Sequence, residues 1–173
     1  MSSITLKVGD RAPDFMLPAA NDVYVVQLSY TLREEAPVVL EFLRGTWCPN
    51  CRKRMALLEQ NIAQFVQLGV KLICVAAEKR HGVFLPEEFF AKHDYHFPFL
   101  LDESREVTKA YGVWHRFGID ALNIAHPATF VIGRDGVIRY IYVGKHQLDR
   151  APLEEVFEAV RLMNTQKMNA EQK

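Results

Sequence analysis

The chain predicts an α/β fold: a central mixed sheet with helices packed against it. Three observations carry that expectation. The run Pro37-Val38-Val39-Leu40-Glu41-Phe42-Leu43 is short, branched and almost continuously apolar, the composition of a strand buried on both faces. It gives way to a helical pattern in which Met55, Leu58, Ile62 and Phe65 recur at steps of three and four. A second apolar run at 70–77 follows, so the three segments form a parallel strand-helix-strand unit. Much later, residues 128–132 and 137–143 flank Arg134-Asp135-Gly136, the pattern of an antiparallel hairpin.

The remaining elements fit around these. Residues 1–20 carry Gly9-Asp10, Ala12-Pro13 and Leu17-Pro18 and read as an extended N-terminal loop with a short strand at 15–17. A second short strand is expected at 23–27 and a helical turn at 28–35. The motif helix should run from just past Cys51 to about Leu68. After a polar loop at 78–85, Pro86-Glu87-Glu88 opens a helix with acidic residues at its positive end. The run at 97–101 precedes a helix capped by Asp102 and carrying Val107, Ala110 and Tyr111. Periodicity fails from Gly112 to Ala125. Trp114, Phe117 and Ile119 in that stretch either line a groove or pack, and packing is the more ordinary role of such aromatics. The last helix starts at Pro152 with Leu153, Val156, Phe157, Val160 and Met163 on one face, and 164–173 is polar enough to be a frayed tail.

A chain of 173 residues suits one domain, 1–173, with a real core. Lys and Arg number 21, Asp and Glu 21, and no basic run exceeds Arg52-Lys53-Arg54, which argues against nucleic acid or an anionic membrane as partner. The N-terminus has no apolar stretch of signal-peptide length, so the expected location is cytoplasmic. In that reducing compartment, a pair of cysteines three residues apart is more often catalytic than a permanent bridge. Three cysteines are also too few for a disulfide scaffold. No cofactor or metal is expected. A zinc half-site would need a second ligand pair, and Cys74 lies in the apolar run at 70–77 as an ordinary buried thiol.

The chemistry centres on Trp47-Cys48-Pro49-Asn50-Cys51. It sits where the apolar strand ends and a helix begins, so unpaired N–H groups and the positive end of the helix dipole favour a thiolate at Cys48. Pro49 suits the first helical turn, where its missing N–H costs nothing. One turn brings Cys51 beneath Cys48, close enough for a reversible disulfide. Arg52, Lys53 and Arg54 are the wrong sign for a helix start by roughly 0.3 to 1 kcal/mol each. They either lower the thiol pKa or are solvated surface charges. Glu41 is the one ionisable residue in the apolar strand. If buried, it would favour its neutral form and serve as a proton acceptor; at a sheet edge it would merely face water.

Three stretches together resemble the thioredoxin fold, and within it the peroxiredoxin-like, redoxin branch known as the alkyl hydroperoxide reductase/thiol-specific antioxidant family. They are Val8-Gly9-Asp10-Arg11-Ala12-Pro13-Asp14-Phe15, Phe42-Leu43-Arg44-Gly45-Thr46-Trp47-Cys48-Pro49-Asn50-Cys51, and Pro127-Ala128-Thr129-Phe130-Val131-Ile132 followed by Asp135-Gly136. The resemblance implies a thioredoxin-like domain with an N-terminal extension and an insertion before the strand that follows Pro127. It implies that Pro127 is a cis proline facing the dithiol, leaving the backbone of His126 free to pair with an incoming peptide and its ring near the sulfurs. It also places Glu41 at the buried acid found below the dithiol in thioredoxins. The peroxide-reducing members resemble one another in a Pro-x-x-x-Thr-x-x-Cys motif. Counted back from Cys51, this chain has Cys48 at the threonine and Arg44 at the proline; counted back from Cys48, it has Gly45 and Glu41 instead. The arginine that precedes the late strand in those enzymes is replaced by His126-Pro127.

The leading expectation is therefore a thiol-disulfide oxidoreductase, with Cys48 attacking, Cys51 resolving and Glu41 accepting a proton. Trp47, Arg44, His126 and Pro49 would border the bound substrate. Its partners would be a disulfide-bearing protein or small disulfide and a cellular dithiol reductant. The first alternative is a thiol-dependent peroxidase acting on hydrogen peroxide or alkyl hydroperoxides, with Arg44 in place of the missing arginine. The second is a non-enzymatic redox sensor that presents residues 78–125 to a partner. Oligomeric state is left open.

Overall fold

The computed structural model describes residues 5–117 and 122–171, with the side chains of 115–117, 122–124 and 171 outside the description. Its elements in chain order are β1 (Met16–Pro18), β2 (Val25–Gln27), α1 (Leu28–Tyr30) running into a π-helical turn at Thr31–Glu35, β3 (Val38–Leu43), α2 (Pro49–Gln60) and α3 (Ile62–Gln67). There follow β4 (Lys71–Ala76), α4 (Pro86–Phe90), β5 (Phe99–Leu101), α5 (Glu106–Ala110), β6 (Trp114–Phe117), β7 (Leu122–Ala125), β8 (Ala128–Ile132), β9 (Ile138–Val143) and α6 (Leu153–Glu171).

The central sheet has the order β5-β4-β3-β8-β9. β3 lies in the middle, parallel to β4 with Leu43 opposite Ala76, and antiparallel to β8 with Glu41 opposite Thr129. Every residue of β3 is buried, as its unbroken apolar composition requires. One face of the sheet packs on α2, α3 and α6 through Met55, Leu58, Phe65, Val156, Phe157 and Val160. Phe65 and Phe157 meet edge to face at 5.0 Å. The other face is closed by an aromatic cluster of Phe42, Tyr111 and Phe130, and the Tyr111 hydroxyl donates to Pro13 O at 2.8 Å, tying the N-terminal extension down. Among the described residues no helix is long and apolar enough to cross a membrane.

Four local expectations are corrected. The motif helix is interrupted at Asn61, whose backbone leaves the helical region and whose amide donates to Leu57 O at 2.8 Å; an Asn side chain competing for backbone partners explains the break. The stretch expected to be irregular holds a hairpin, β6 paired with β7, and Trp114 lies half-buried under Lys109 Nζ at 5.3 Å. Ile119 lies outside the described residues. The polar C-terminal segment, expected to fray, continues α6 to Glu171, and Asn164 donates to Leu68 O at 2.9 Å.

The fourth correction concerns Pro127. No described peptide bond is cis, so the His126–Pro127 bond is trans. The backbone N–H of His126 is also not free, since it donates to Val113 O at 2.7 Å. The hairpin delivers the chain to β8 already extended. A trans proline, needing no N–H partner, starts the strand there. Its carbonyl accepts Gly144 N–H at 2.7 Å.

Candidate active site

The carboxyl end of β3 delivers the dithiol. Arg44 to Trp47 turn the chain, Cys48 caps α2 with an extended backbone, and Pro49 occupies the first helical turn as its ring favours. Gly45 has φ +154, and a Cβ there would lie 2.4 Å from Trp47 Nε1. The glycine is what lets the indole fold back over the turn. All three cysteines are free thiols, and Cys48 and Cys51 are both buried, Cys48 exposing only 1% of its surface. That differs from an openly accessible attacking sulfur: the cover over Cys48 must yield before a substrate disulfide reaches it.

The two sulfurs share a hydrogen bond, and it splits their acidities. Cys48 is lowered to about 6, first by that bond, then by backbone N–H groups of Cys51 and Asn50 at the helix start and by the Arg44 charge, against the cost of burial. Cys51 is pushed upward because it donates the proton to Cys48 and is buried, with Arg150 opposing. The surroundings thus favour the thiolate at Cys48 and the thiol at Cys51. Alkylation of Cys48 should rise with pH through a midpoint near 6 and level off by neutrality. A midpoint in the ordinary range near 8.5 would contradict this arrangement.

Cys51 has polar company of its own. Its Sγ accepts the Arg44 backbone N–H at 3.3 Å and Arg150 Nη2 at 3.3 Å. Arg150 comes from the loop after β9, which is closed so tightly that a Cβ at Gly144 would sit 1.9 Å from Asp149 O. The Asp149 carboxylate pins the same loop by accepting Lys145 N–H at 2.8 Å and the Tyr142 hydroxyl. Arg44 is buried, its guanidinium lying 5.0 Å over the Trp47 ring and donating to Gln147. The arginine of the loop after β9 thus reaches Cys51 from 99 residues along the chain.

Glu41 is buried, at 1% exposure, as expected of an acid in this strand. It is not isolated, however. Arg54 Nε donates to Oε1 at 2.7 Å, and Thr129 Oγ1 donates to Oε2 at 2.7 Å. Arg54 and Thr129 each engage one of its two oxygens, so a proton from Cys51 would have to compete with these bonds. Of the basic triplet, Arg54 turns inward to Glu41, while Arg52 donates from Nε to Thr46 O and lies 5.0 Å over the Phe89 ring.

Sequence reading missed a second buried acid. Glu78, just past β4, accepts Thr46 N–H at 2.9 Å and Thr46 Oγ1–H at 2.8 Å, clamping the turn that precedes Cys48. Burial pushes its carboxyl upward, and Thr46 partly counters that. The available signal was its position: a lone acid at the carboxyl end of the strand beside the motif strand. Arg150 and Gln147 carried no such signal.

The residues at 8–141 match the model of the AhpC/TSA family. The chain belongs to that family. It is a peroxiredoxin-like thiol oxidoreductase. It is 31% identical over 147 residues to the thiol-disulfide oxidoreductase ResA of Oceanobacillus iheyensis, covering 83% of this chain and 69% of that protein. It is 29% identical over 139 residues to a putative peroxiredoxin of Mycobacterium tuberculosis, covering 77% and 82%. Among solved structures, the peroxidoxin BcpB of Mycobacterium tuberculosis superposes with a TM-score of 0.76 at 23% identity over 91% of this chain and 97% of that one. The mitochondrial 2-Cys peroxiredoxin of Plasmodium falciparum does so at 0.76 and 16%, over 95% and 98%. At such identities the structural likeness establishes the thioredoxin-like peroxiredoxin fold.

Proposed function

We propose that this chain reduces disulfides by dithiol exchange, with Cys48 attacking and Cys51 resolving. The observation that carries the reading is the placement of Cys48 at the extended start of α2 with Cys51 one turn in, its sulfur accepting the Arg44 N–H and Arg150 Nη2 at 3.3 Å each. Cys48 thiolate attacks one sulfur of a substrate disulfide, a mixed disulfide forms, and one thiolate departs. That step consumes the negative charge on Cys48 and with it the bond that kept Cys51 protonated. The Arg44 N–H and Arg150 then favour Cys51 as thiolate, its proton passing to the departing sulfur or to water. Cys51 attacks Cys48, the second substrate thiol leaves, and the enzyme is left with a Cys48–Cys51 disulfide for a cellular dithiol to reduce. Trp47 borders the attacking sulfur, Arg44 supplies charge, and Pro49 sets the helix start. Pro127, though trans, anchors the Gly144 end of the Arg150 loop.

A thiol peroxidase is the second reading, favoured by Arg150 Nη2 on the Cys51 sulfur, where a guanidinium could also meet peroxide. The proton on Cys51 works against it, because a thiol is a poor nucleophile toward peroxide. Stopped-flow mixing of the pre-reduced protein with hydrogen peroxide and with a small disulfide, counting thiols lost, separates the two. Fast, two-thiol consumption by the disulfide and slow consumption by peroxide is the expected result. The reverse order makes the protein a peroxidase.

A further inference from the structure

Beside the dithiol lies a groove of about 330 Å³, bordered by Thr46, Arg52, Val83, Phe84, Phe89 and Lys92. Three consecutive apolar residues stand at its rim facing solvent: Val83 at 95% exposure, Phe84 at 55% and Leu85 at 38%. A contiguous apolar run of this kind on a surface marks an interaction site more often than an ordinary face does. It is coupled to the chemistry directly. The Phe84 ring lies 6.3 Å from that of Trp47, the residue before Cys48, and the groove floor at Thr46 is fixed by the Glu78 clamp.

The charge is as informative as the apolar rim. The chain as a whole carries 21 basic and 21 acidic residues. Yet the groove wall presents Arg52 and Lys92 against Glu88, with His93 alongside, and Arg44 lies over the adjoining Trp47. Arg52 holds its guanidinium in place by its bond to Thr46 O and its position over Phe89, ready to meet an anion without further ordering.

We propose that this groove docks an acidic segment of an oxidised partner polypeptide, an aromatic or aliphatic side chain lying against Trp47, Val83 and Phe84 and a carboxylate meeting Arg52 and Lys92. The assignment rests on the disulfide-exchange reading and makes the substrate a protein disulfide. A peroxide or a small disulfide has nothing to place on such a surface. Apolar contact supplies the holding energy; charge steers the approach and selects the partner.

The test uses two short synthetic peptides, each with one cysteine blocked as a thiopyridyl disulfide, one flanked by Phe, Asp and Glu and the other by Ser and Lys. Dithiodipyridine serves as the small disulfide. Each peptide's rate of thiopyridone release by the reduced protein is divided by its rate with free glutathione, which removes intrinsic reactivity. The acidic aromatic peptide should react on the order of tenfold faster than the basic one, the scale of a few interface contacts. Lys92→Glu should reverse the charge preference, and Val83→Ser combined with Phe84→Ser should bring the ratio close to one. Equal normalised rates for both peptides, with dithiodipyridine still consumed, overturn the docking proposal and leave exchange standing. No reaction with any of the three overturns exchange, and the docking proposal with it.

Discussion

Cys51→Ser is expected to convert the enzyme from a catalyst into a trap. With no resolving sulfur, the mixed disulfide on Cys48 should accumulate to one adduct per chain, seen as an added mass that dithiothreitol removes. Turnover should fall on the order of 10³-fold or more, since one half of a two-step covalent cycle is gone. Cys48→Ser should lose turnover to the same degree without accumulating adduct. Its Cys51 is buried and keeps the Arg44 N–H and Arg150, but it no longer donates to a neighbouring thiolate, so it should become more acidic than in the parent. Alkylation of Cys51 in the Cys48→Ser variant should therefore shift to lower pH, whereas Cys51→Ala, which leaves no side-chain donor toward Cys48 where a serine hydroxyl would still supply one, should raise the Cys48 midpoint above the parent value of about 6. Adduct on the Cys48→Ser variant instead of on Cys51→Ser would exchange the two roles.

What the sequence disclosed and what it hid divide along physical lines. The motif strand, its parallel partner and the late hairpin were legible because burial on both faces writes itself into composition, and a Gly-containing turn between apolar runs has few other meanings. The placement of Cys48 and Cys51 at a helix start followed from local pattern alone. Arg54 was harder. At the third place after Cys51 it reads as a helix-surface charge, and only the register that sets Glu41 opposite Thr129 and beneath α2 explains why it turns inward. Arg150 was illegible: it sits 99 residues from Cys51 in a loop whose closure depends on Gly144 and Asp149. The cis geometry assigned to Pro127 came from resemblance, and the neighbouring hairpin, invisible to periodicity, supplies the extended approach that leaves the bond trans.

Arg54→Met should be the most damaging substitution outside the dithiol. The Glu41–Arg54 pair is almost wholly enclosed, the side chains exposing 1% and 5%. Removing the cation strands a carboxylate beneath the sheet's central strand, and breaking one side of a buried pair costs about 3–5 kcal/mol. For a chain of this size that is a fall in melting temperature of roughly 10 °C. Replacing both partners, Glu41→Leu with Arg54→Met, should recover most of the stability, leaving the Thr129 hydroxyl as the residual cost. Because Glu41 is held by Arg54 and Thr129, the double variant should retain measurable disulfide exchange once folded. If it regains its melting temperature but has lost resolution of the mixed disulfide, Glu41 acts in proton transfer despite its pairing. If both return together, the pair is a device of the fold, and the proton leaves Cys51 by way of the departing sulfur or water.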